Sequence, residues 1–486
     1  MGMRTGAQFL ESIREDGRRV YFDGGVVKDV TSHPAFRGAA RSIARLFDIA
    51  ADPENRALMT FPSPATGQPV FRCYQIPETA ADLAARRRMS TRWAEETFGL
   101  MGRTPDHVAG FLAGYAAKPS VFREAGKQYA ENVLRYHAFA RDNNLYLSYA
   151  IVPPQIDRSK PAHKQSDPTL HAGVVAERDG GIVLKGAQQL GTGAVFSDAI
   201  YISCIHPLMP GDEAYAFAVV VPCNAPGLKI YPRRSYAAGT TSTFDYPLSS
   251  RFDEIDSLIV LDDVFVPWEN VFCYRNLQLC RDQWWRTPSH SYGNHQAQAR
   301  YAVKLQFLMG LTKRLCEITG VDPMPPVQIM LGEMAAYATI VESMLQAQET
   351  QATIDSEGVV WPSKTALYSV MALQSEINPK LLNIARELAG GSIIMLPSTA
   401  KDFDNPEIAA DLERYIASPG FPSRLRTQIL KLVWDLIGTE FAGRHEQYEK
   451  FYGGASFLIK QNMARAYDFK GATGLVERAL ALAEEA

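Results

Sequence analysis

The hydrophobic period changes twice along this chain, and that change limits the possible folds more than any other feature. Up to about residue 140 apolar residues recur at helical spacing, as in residues 125–142, "AGKQYAENVLRYHAFARD". From residue 145 to about 271 short β-branched runs alternate with turn residues, and after about residue 290 long helical patterns return. Helices, then a compact β segment, then helices again exclude a doubly wound α/β fold.

The β segment contains a strong hairpin signal. Two alternating runs in residues 171–193 flank Asp179-Gly180-Gly181, which predicts a tight turn between two strands. Further strands are predicted for "AIYISCIH", "EAYAFAVVVPC", "LKIYP" and "SLIVLDDVFVP". Helices are predicted for residues 296–320, 326–355, 363–389, 424–440 and 455–484.

These patterns predict an α+β fold in three parts. We expect an N-terminal, mainly helical domain (residues 1–142), a central antiparallel β-barrel or sandwich (143–275) and a C-terminal helical bundle (276–486). The apolar faces of the C-terminal helices also suggest contacts between subunits.

Charge and composition exclude several classes of function. The net charge is −3, and no block of like charges is longer than residues 86–88, so we expect neither a nucleic-acid nor a membrane-surface partner. The first twenty residues lack the apolar core of a signal peptide, and no apolar run is long enough to span a bilayer. Six scattered cysteines without a CxxC pair favour free thiols in the cytoplasm.

Familiar catalytic motifs are absent from the sequence. Residues 191–196, "GTGAVF", begin like a dinucleotide fingerprint but lack the third glycine. His445-Glu446 begins an HExxH sequence without its second histidine, and the other histidines show no metal-ligand spacing, so no metal site is expected.

Dense polar and aromatic stretches remain, and they carry a family resemblance. They are "MGRTPDH" (101–107), "YAIVPPQIDR" (149–158), "QLGTG" (189–193), "FDYPLSSRFDE" (244–254), "DDVFVPWENVF" (262–272) and "FAGRHEQYEKFYGG" (441–454). With residues 4–38 they resemble, in order and over nearly the whole chain, the 4-hydroxyphenylacetate 3-monooxygenase oxygenase component family. Chlorophenol and nitrophenol monooxygenases and natural-product phenol hydroxylases are similar.

The resemblance implies an acyl-CoA-dehydrogenase-like fold, a homotetramer built as a dimer of dimers, and FAD used as FADH2 with O2. A separate NAD(P)H flavin reductase would supply the FADH2. A flavin C4a-hydroperoxide would hydroxylate a 4-substituted phenol ortho to its hydroxyl, giving a catechol. Two alternatives stay open: displacement of a para substituent, and hydroxylation of a carrier-tethered, tyrosine-like phenol.

The resemblance also implies which residues contact the phenol. Attack is easier on a phenolate-like ring, and Arg103, which cannot lose its proton, is suited to hold the oxyanion. His107 and Tyr149 occupy positions where the 4-hydroxyphenylacetate enzymes carry Tyr and His, so the two types are exchanged here. His295 lies at or next to the histidine that acts as base in the chlorophenol and nitrophenol relatives, at the expected start of a helix.

Flavin contacts are implied for a second set of residues. Thr192 matches a threonine expected near flavin N5, and Gly191 and Gly193 would let the flavin approach. The other candidates are Gln155 and Arg158, with Arg444 as either a pyrophosphate or interface contact or a salt-bridge residue.

The expected substrate loop departs from the 4-hydroxyphenylacetate enzymes. Ile205-His206 stands where those enzymes grip the substrate carboxylate with a Ser-Thr pair. This weakens the case for 4-hydroxyphenylacetate itself and admits a neutral, longer or carrier-tethered phenol.

Three other classes of protein fit the sequence less well. A 4-hydroxybutyryl-CoA dehydratase would need cysteines near Arg103 for its iron–sulfur cluster, and no cysteine lies between residues 74 and 203. An acyl-CoA dehydrogenase would need a catalytic carboxylate facing the flavin. A scaffold without flavin would show eroded flavin stretches, and these are intact.

Overall fold

The computed structural model describes residues 3–240 and 242–484, with side chains as far as Ala481. Its N-terminal part consists of helices with two short hairpins between them. These elements are α1 (Gly6–Ile13), β1 (Val20–Phe22), β2 (Gly25–Val27), α2 (Arg37–Ala51), α3 (Arg56–Met59), β3 (Thr60–Pro62), β4 (Pro69–Phe71), α4 (Ala80–Glu96), α5 (Pro105–Ala117), α6 (Ser120–Arg123) and α7 (Lys127–Asp142).

The middle part is a β-sandwich. Its elements are β5 (Leu147–Ala150), β6 (Gly173–Arg178), β7 (Gly181–Gln188), β8 (Ala199–Ser203), β9 (Phe217–Pro222), β10 (Leu228–Pro232), α8 (Ser249–Phe252), β11 (Ser257–Pro267) and β12 (Val271–Tyr274). One sheet has the order β2-β1-β10-β11-β7-β6 and the other β12-β9-β8-β5. Buried side chains of both sheets belong to one hydrophobic core, so the predicted sandwich is confirmed.

Strand direction differs from the prediction at two places. β5 pairs with β8 in parallel, and β1 pairs with β10 in parallel, so the sandwich is mixed rather than purely antiparallel. The β6–β7 hairpin lies within the long connection between β5 and β8, and such a connection is what parallel neighbours require. β1 and β2 come from the N-terminal part and are too short to show a period of two.

The predicted β6–β7 hairpin is confirmed. Gly180 has φ +80°, a left-handed conformation that favours glycine. A Cβ on Gly181 would lie 2.2 Å from the carbonyl oxygen of Val266 on the neighbouring strand. Gly180 therefore permits the tight turn, and Gly181 permits the close approach of β11.

The C-terminal part is mainly helical. Its elements are α9 (Leu277–Trp285), α10 (Ser289–Thr319), α11 (Pro325–Thr350), β13 (Thr353–Ile354), β14 (Val360–Trp361), α12 (Lys364–Ala389), α13 (Pro406–Ile416), α14 (Ser423–Ile437), α15 (Glu440–Phe451), α16 (Ser456–Ala466) and α17 (Phe469–Glu484). The single pattern at 455–484 is thus two helices. None of the described helices is both long and apolar enough to cross a membrane.

Two fully buried helical segments position the site. α5 begins at Pro105 directly after Thr104, as the Thr-Pro pair predicts, and its side chains from 105 to 116 are all buried. The first ten residues of α10 are buried as well, and α5 packs against α10 and β5. These crossings bring the turn before α5, the strand β5 and the start of α10 together.

Candidate active site

Arg103 is a buried cation in the turn before α5. Its backbone N–H donates to Glu254 Oε2 at 2.8 Å, while its guanidinium Nη1 donates to Tyr448 Oη at 2.6 Å and Nη2 to the Tyr452 carbonyl at 3.4 Å. Its Cζ lies 5.3 Å from the Tyr149 ring centroid. Among the described residues no carboxylate forms an ion pair with this guanidinium. The direct partners of the guanidinium are therefore a hydroxyl, a carbonyl and an aromatic ring, with the carboxylate of Glu254 nearby but not paired with it, so the guanidinium can still receive an anion.

The positive charge of Arg103 persists despite its burial. Burial acts to lower the pKa of the guanidinium, and the neighbouring Tyr149, Tyr448 and Glu254 more than offset that effect, so the pKa is raised. The residue is a permanent cation at every pH of interest.

His107 lies in the first turn of α5 with one ring nitrogen left open. Its Nδ1 is 2.9 Å from Gln296 Oε1, and its buried Nε2 has no hydrogen-bond partner in the described part of the chain. Burial, followed by the charge of Arg103, holds the pKa of this imidazole well below its usual 6.5, although Gln296 acts in the opposite direction. His107 is therefore neutral, and Nε2 is free for a ligand.

Tyr149 lies between these two side chains. It is half-buried on β5, its ring centroid is 5.5 Å from that of His107, and its ring faces the guanidinium of Arg103. The fold thus brings together the three residues that the sequence predicts to contact a phenol. Their roles stay predictions.

His295 belongs to a different network. Its Nε2 is 3.2 Å from Glu349 Oε1, and Glu349 also pairs with Arg87. Burial lowers the pKa of His295, and Glu349 opposes this shift. Among the described residues, the hydrogen bonds of its side chain do not reach Arg103, His107 or Tyr149. It stands six residues after the start of α10, so the expected position at a helix start is wrong, and its role as base stays a prediction.

Thr192 is held by a buried carboxylate. Its Oγ1 donates to Asp256 Oδ1 at 2.7 Å, in the turn that follows β7. Asp256 also accepts hydrogen bonds from Arg233 and Arg444, and these arginines hold the pKa of its carboxyl well below 3.8 against the effect of burial. Since the Thr192 proton is committed to Asp256, its oxygen can only accept from a ligand.

The glycines beside Thr192 are required by protein contacts. A Cβ on Gly193, which has φ +78°, would lie 2.3 Å from Tyr146 Oη, and a Cβ on Gly191 would lie 2.7 Å from the Ile259 side chain. The role of these glycines in admitting a flavin stays a prediction.

Arg444 is engaged in salt bridges. Its Nε and Nη2 donate to the two oxygens of Asp256 at 2.9 and 2.7 Å, and its Nη1 donates to Glu254 Oε1 at 2.8 Å. Burial acts to lower the pKa of Arg444, but the two carboxylates raise it well above its usual value. Of the roles considered for Arg444, the salt bridge is the one that these contacts support.

Gln155 and Arg158 are exposed in the loop that follows β5. Their side chains form no hydrogen bond or ion pair with the described residues. Gln189 N–H donates to the Val152 carbonyl at 2.8 Å, which fixes the start of this loop beside the turn that carries Thr192. The predicted flavin contacts of residues 155–158 and 191–193 therefore lie on neighbouring segments.

The predicted substrate loop starts at the same place. Ile205 N–H donates to the Ile151 carbonyl at 3.0 Å, and His206 is exposed. The loop thus borders the segment between β5 and the exposed Gln155.

The sequence does not assign a role to several residues of the site. Tyr448, Glu254 and Asp106 lie inside the polar stretches quoted above, but no motif indicates what they contact. Gln296 follows His295 in a helix that is buried all round, and only its contact with His107 identifies it.

Fold and site together define a class of protein: a helix–sandwich–helix enzyme scaffold in which a buried cation, a neutral imidazole and a tyrosine lie side by side. The chain belongs to the 4-hydroxyphenylacetate 3-hydroxylase family. Residues 5–273 match the model of its N-terminal part and residues 280–481 that of its C-terminal part.

Curated relatives are similar over nearly their whole length. The chain is 36% identical to a 4-hydroxyphenylacetate 3-monooxygenase oxygenase component of Pseudomonas aeruginosa, covering 98% of this chain and 92% of that protein. It is 37% identical to a 4-nitrophenol 2-monooxygenase oxygenase component of Rhodococcus sp (96% and 89%). It is 36% identical to a Streptomyces globisporus monooxygenase whose named substrate is a chlorinated hydroxyphenyl β-amino acyl group on a peptidyl-carrier protein (93% and 85%).

Solved structures agree with this assignment. The oxygenase component of 4-hydroxyphenylacetate 3-monooxygenase in complex with FAD and 4-hydroxyphenylacetate has a TM-score of 0.94 at 31% identity, with 99% of both chains covered. An archaeal 4-hydroxybutyryl-CoA dehydratase has a TM-score of 0.89 at 23% identity, covering 99% of this chain and 95% of that one, and shares the fold. The predicted α+β fold class is confirmed.

Proposed function

We propose that the protein is the oxygenase component of a two-component, FADH2-dependent phenol monooxygenase. It hydroxylates a 4-substituted phenol ortho to its hydroxyl group: the phenol, O2 and FADH2 give a catechol, water and FAD. The names of the relatives from Pseudomonas aeruginosa and Rhodococcus sp support this reaction.

One observation supports the proposal most directly. Arg103 is buried without a carboxylate partner among the described residues, next to the open Nε2 of His107 and the ring of Tyr149. A buried, unpaired cation is costly unless a ligand compensates it. The oxygen of a phenol, on which negative charge grows as the ring is attacked, is such a ligand.

The residues present fit a flavin beside this position. Thr192 offers an oxygen that can accept a hydrogen bond from a flavin N–H, since its own proton goes to Asp256. Arg158 and Gln155 are exposed polar groups on the neighbouring segment, suited to phosphate and ring carbonyl oxygens. When bound, the reduced flavin supplies two electrons and activates O2. The FAD complex of the similar oxygenase component supports this cofactor.

The substrate preference follows from residues that differ from the 4-hydroxyphenylacetate enzymes. His107 and Tyr149 are exchanged in type, and Ile205-His206 offers no hydroxyl pair for a carboxylate. We favour a phenol without a short acidic side chain, and the carrier-bound substrate of the Streptomyces globisporus relative makes a tethered phenol a second candidate. Displacement of a para substituent is the alternative reaction.

Assembly and partners complete the proposal. A separate NAD(P)H flavin reductase supplies the FADH2, and the protein acts in the cytoplasm. A homotetramer, as a dimer of dimers, is supported by apolar side chains on α16 and α17 such as Phe457 and Leu475, which are 70% and 59% exposed in the single chain. Of the proposed three-domain division, the family models support the boundary at 275/276, since they separate between residues 273 and 280.

The test combines the protein with chemically reduced FAD, O2 and a panel of phenols in the presence of catalase. Chromatography of the products should detect a catechol from at least one 4-substituted phenol. If every phenol is recovered unchanged while the FADH2 is oxidised, the proposed function is wrong. A quinol with loss of the para substituent would assign the alternative reaction.

A further inference from the structure

A chain of buried hydrogen bonds leads from Asp106 to His107. Thr104 Oγ1 donates to Asp106 Oδ1 at 2.5 Å, and Gln296 Nε2 lies 3.1 Å from the same oxygen and 3.3 Å from Thr104 Oγ1. Gln296 Oε1 then lies 2.9 Å from His107 Nδ1. All four side chains are less than a tenth exposed.

The direction of these hydrogen bonds follows from Asp106. Burial raises the pKa of Asp106, and its second oxygen, Oδ2, is buried without a hydrogen-bond partner among the described residues. Oδ1 is the oxygen that accepts from Thr104 and from Gln296, so the single proton of Thr104 points to Oδ1 and Thr104 Oγ1 accepts from Gln296. Both neighbours at this end of Gln296 are therefore acceptors, and the amide NH2 group must face them. The reverse orientation would set the amide oxygen against two buried acceptors, which is costly.

The tautomer of His107 follows from Gln296. With the amide oxygen of Gln296 facing Nδ1, the imidazole proton is on Nδ1 and the lone pair is on Nε2. Nε2 is the buried atom that has no partner among the described residues. The side chain is thus oriented to accept one more hydrogen bond, at the ligand position.

We propose that Asp106 and Gln296 are positioning residues that hold His107 as the Nδ1–H tautomer, so that its Nε2 accepts a hydrogen bond from the substrate hydroxyl. The identity of that hydroxyl as a phenol rests on the proposed function. His107 then selects the protonated phenol over the phenolate and over aryl ethers, which have no proton to donate. Arg103 stabilises the negative charge only as it develops on the same oxygen.

The first experiment measures the tautomer without any substrate. Nitrogen-15 NMR of protein labelled at histidine distinguishes a protonated from an unprotonated ring nitrogen, and the signal that disappears in His107→Gln identifies His107. We expect Nδ1 to be protonated and Nε2 unprotonated in the flavin-free protein. The opposite tautomer would overturn the proposal, whether or not the protein hydroxylates phenols.

The second experiment reads the ionisation of a bound phenol. 4-Nitrophenol, whose neutral and ionised forms differ in colour, is bound at one fixed pH to flavin-free wild type and to Gln296→Leu. Leucine removes the acceptor at Nδ1 and releases the tautomer, so that Nε2–H can donate to the phenolate. We expect the ratio of bound phenol to phenolate to fall roughly tenfold in Gln296→Leu.

Gln298→Leu is the matched control, because Gln298 is buried on the same helix and donates to the Leu367 carbonyl instead. It should leave the colour of bound 4-nitrophenol unchanged. If Gln296→Leu weakens binding without changing the ratio, Gln296 contributes packing alone and the proposal is wrong. If the wild type does not bind 4-nitrophenol, the nitrogen-15 NMR measurement of the His107 tautomer decides whether the proposal holds.

Discussion

Two buried arginines, Arg103 and Arg444, contact the same tyrosine ring and differ in what their guanidinium groups meet. Their Cζ atoms lie 5.1 and 4.8 Å from the centroid of Tyr448. Arg444 donates three hydrogen bonds to the carboxylates of Glu254 and Asp256, whereas the guanidinium of Arg103 donates to a hydroxyl and a carbonyl.

On the proposed function, this difference separates a structural cation from a binding cation. The desolvation cost of Arg444 is offset within the fold, so its removal leaves Glu254 without its guanidinium and Asp256 with Arg233 alone. The guanidinium of Arg103 pairs with no carboxylate among the described residues, so its removal should cost binding and catalysis instead. Burial and residue type are the same, and only the partners distinguish the two roles.

The largest expected effect is on stability. Arg444→Met should lower the free energy of unfolding by about 3–5 kcal/mol, because Glu254 stays buried without its guanidinium and Asp256 loses one of its two. Denaturant unfolding followed by circular dichroism measures this change. Arg103→Met is the matched control and should change stability by less than about 1 kcal/mol, since no carboxylate loses an ion pair. Equal losses of unfolding free energy in the two variants would contradict the distinction between a structural and a binding arginine.

The next largest effect is on catalysis, where we expect Arg103 to matter more than Arg444. Arg103→Met should lower kcat/KM for phenol hydroxylation by about 100- to 1,000-fold, the usual cost of removing one preorganised electrostatic donor. Arg103→Lys should recover part of the loss, because it restores the charge without the planar fork. Steady-state product formation with excess FADH2 measures both. Activity near wild type in Arg103→Met would show that the cation does not contact the reacting oxygen.

A smaller effect tests the neighbours of Arg103. His107→Tyr and Tyr149→His should each weaken phenol binding roughly tenfold, because each removes one hydrogen-bonding group from its position. The double exchange should bind better than the product of the single effects predicts, since the two rings are in contact and the set of groups is restored. Equilibrium binding of a phenol to the three variants measures the coupling. Strict additivity would contradict a shared ligand between the two rings.

The smallest expected effect is that of pH. The pKa of His107 lies well below 6.5 because of burial and then of Arg103, with Arg300 acting in the same direction and Gln296 against it. Phenol affinity of the wild type should therefore stay constant as the pH falls through 6.5. Stability should decline as the pH falls below 6.5, because His107 binds a proton in the unfolded chain while its buried imidazole stays neutral in the folded protein. A loss of affinity centred near pH 6.5 would show that His107 titrates in the site.

The sequence predicts the order of the elements well where their faces are amphipathic. The β6–β7 hairpin, the strands β8 to β11 and the helices α11, α12 and α14 lie close to their predicted positions. The first turns of α10 escaped prediction because they are buried on all sides and show no helical period. β1 and β2 escaped because three residues are too few for an alternating pattern.

The site is predictable in its cations and rings but not in its hydrogen bonds. "MGRTPDH" identifies Arg103 and His107, and the resemblance adds Tyr149. The salt bridges of Arg444 with Glu254 and Asp256, and the contact of Gln296 with His107, join residues about 190 positions apart. No local sequence pattern predicts such a contact, although the charge and the hydrogen bonding of each buried group depend on these contacts.

Tyr146 ties the two halves of the site to one another. Its hydroxyl donates to the carbonyl of Arg103 at 2.7 Å, and the same oxygen occupies the space that a side chain on Gly193 would need. The distance between the turn that we propose for the phenol and the turn that we propose for the flavin is thereby set by main chain and one rigid ring. On this proposal, substitutions at positions 107 and 149 would change the substrate range without changing the separation of phenol and flavin.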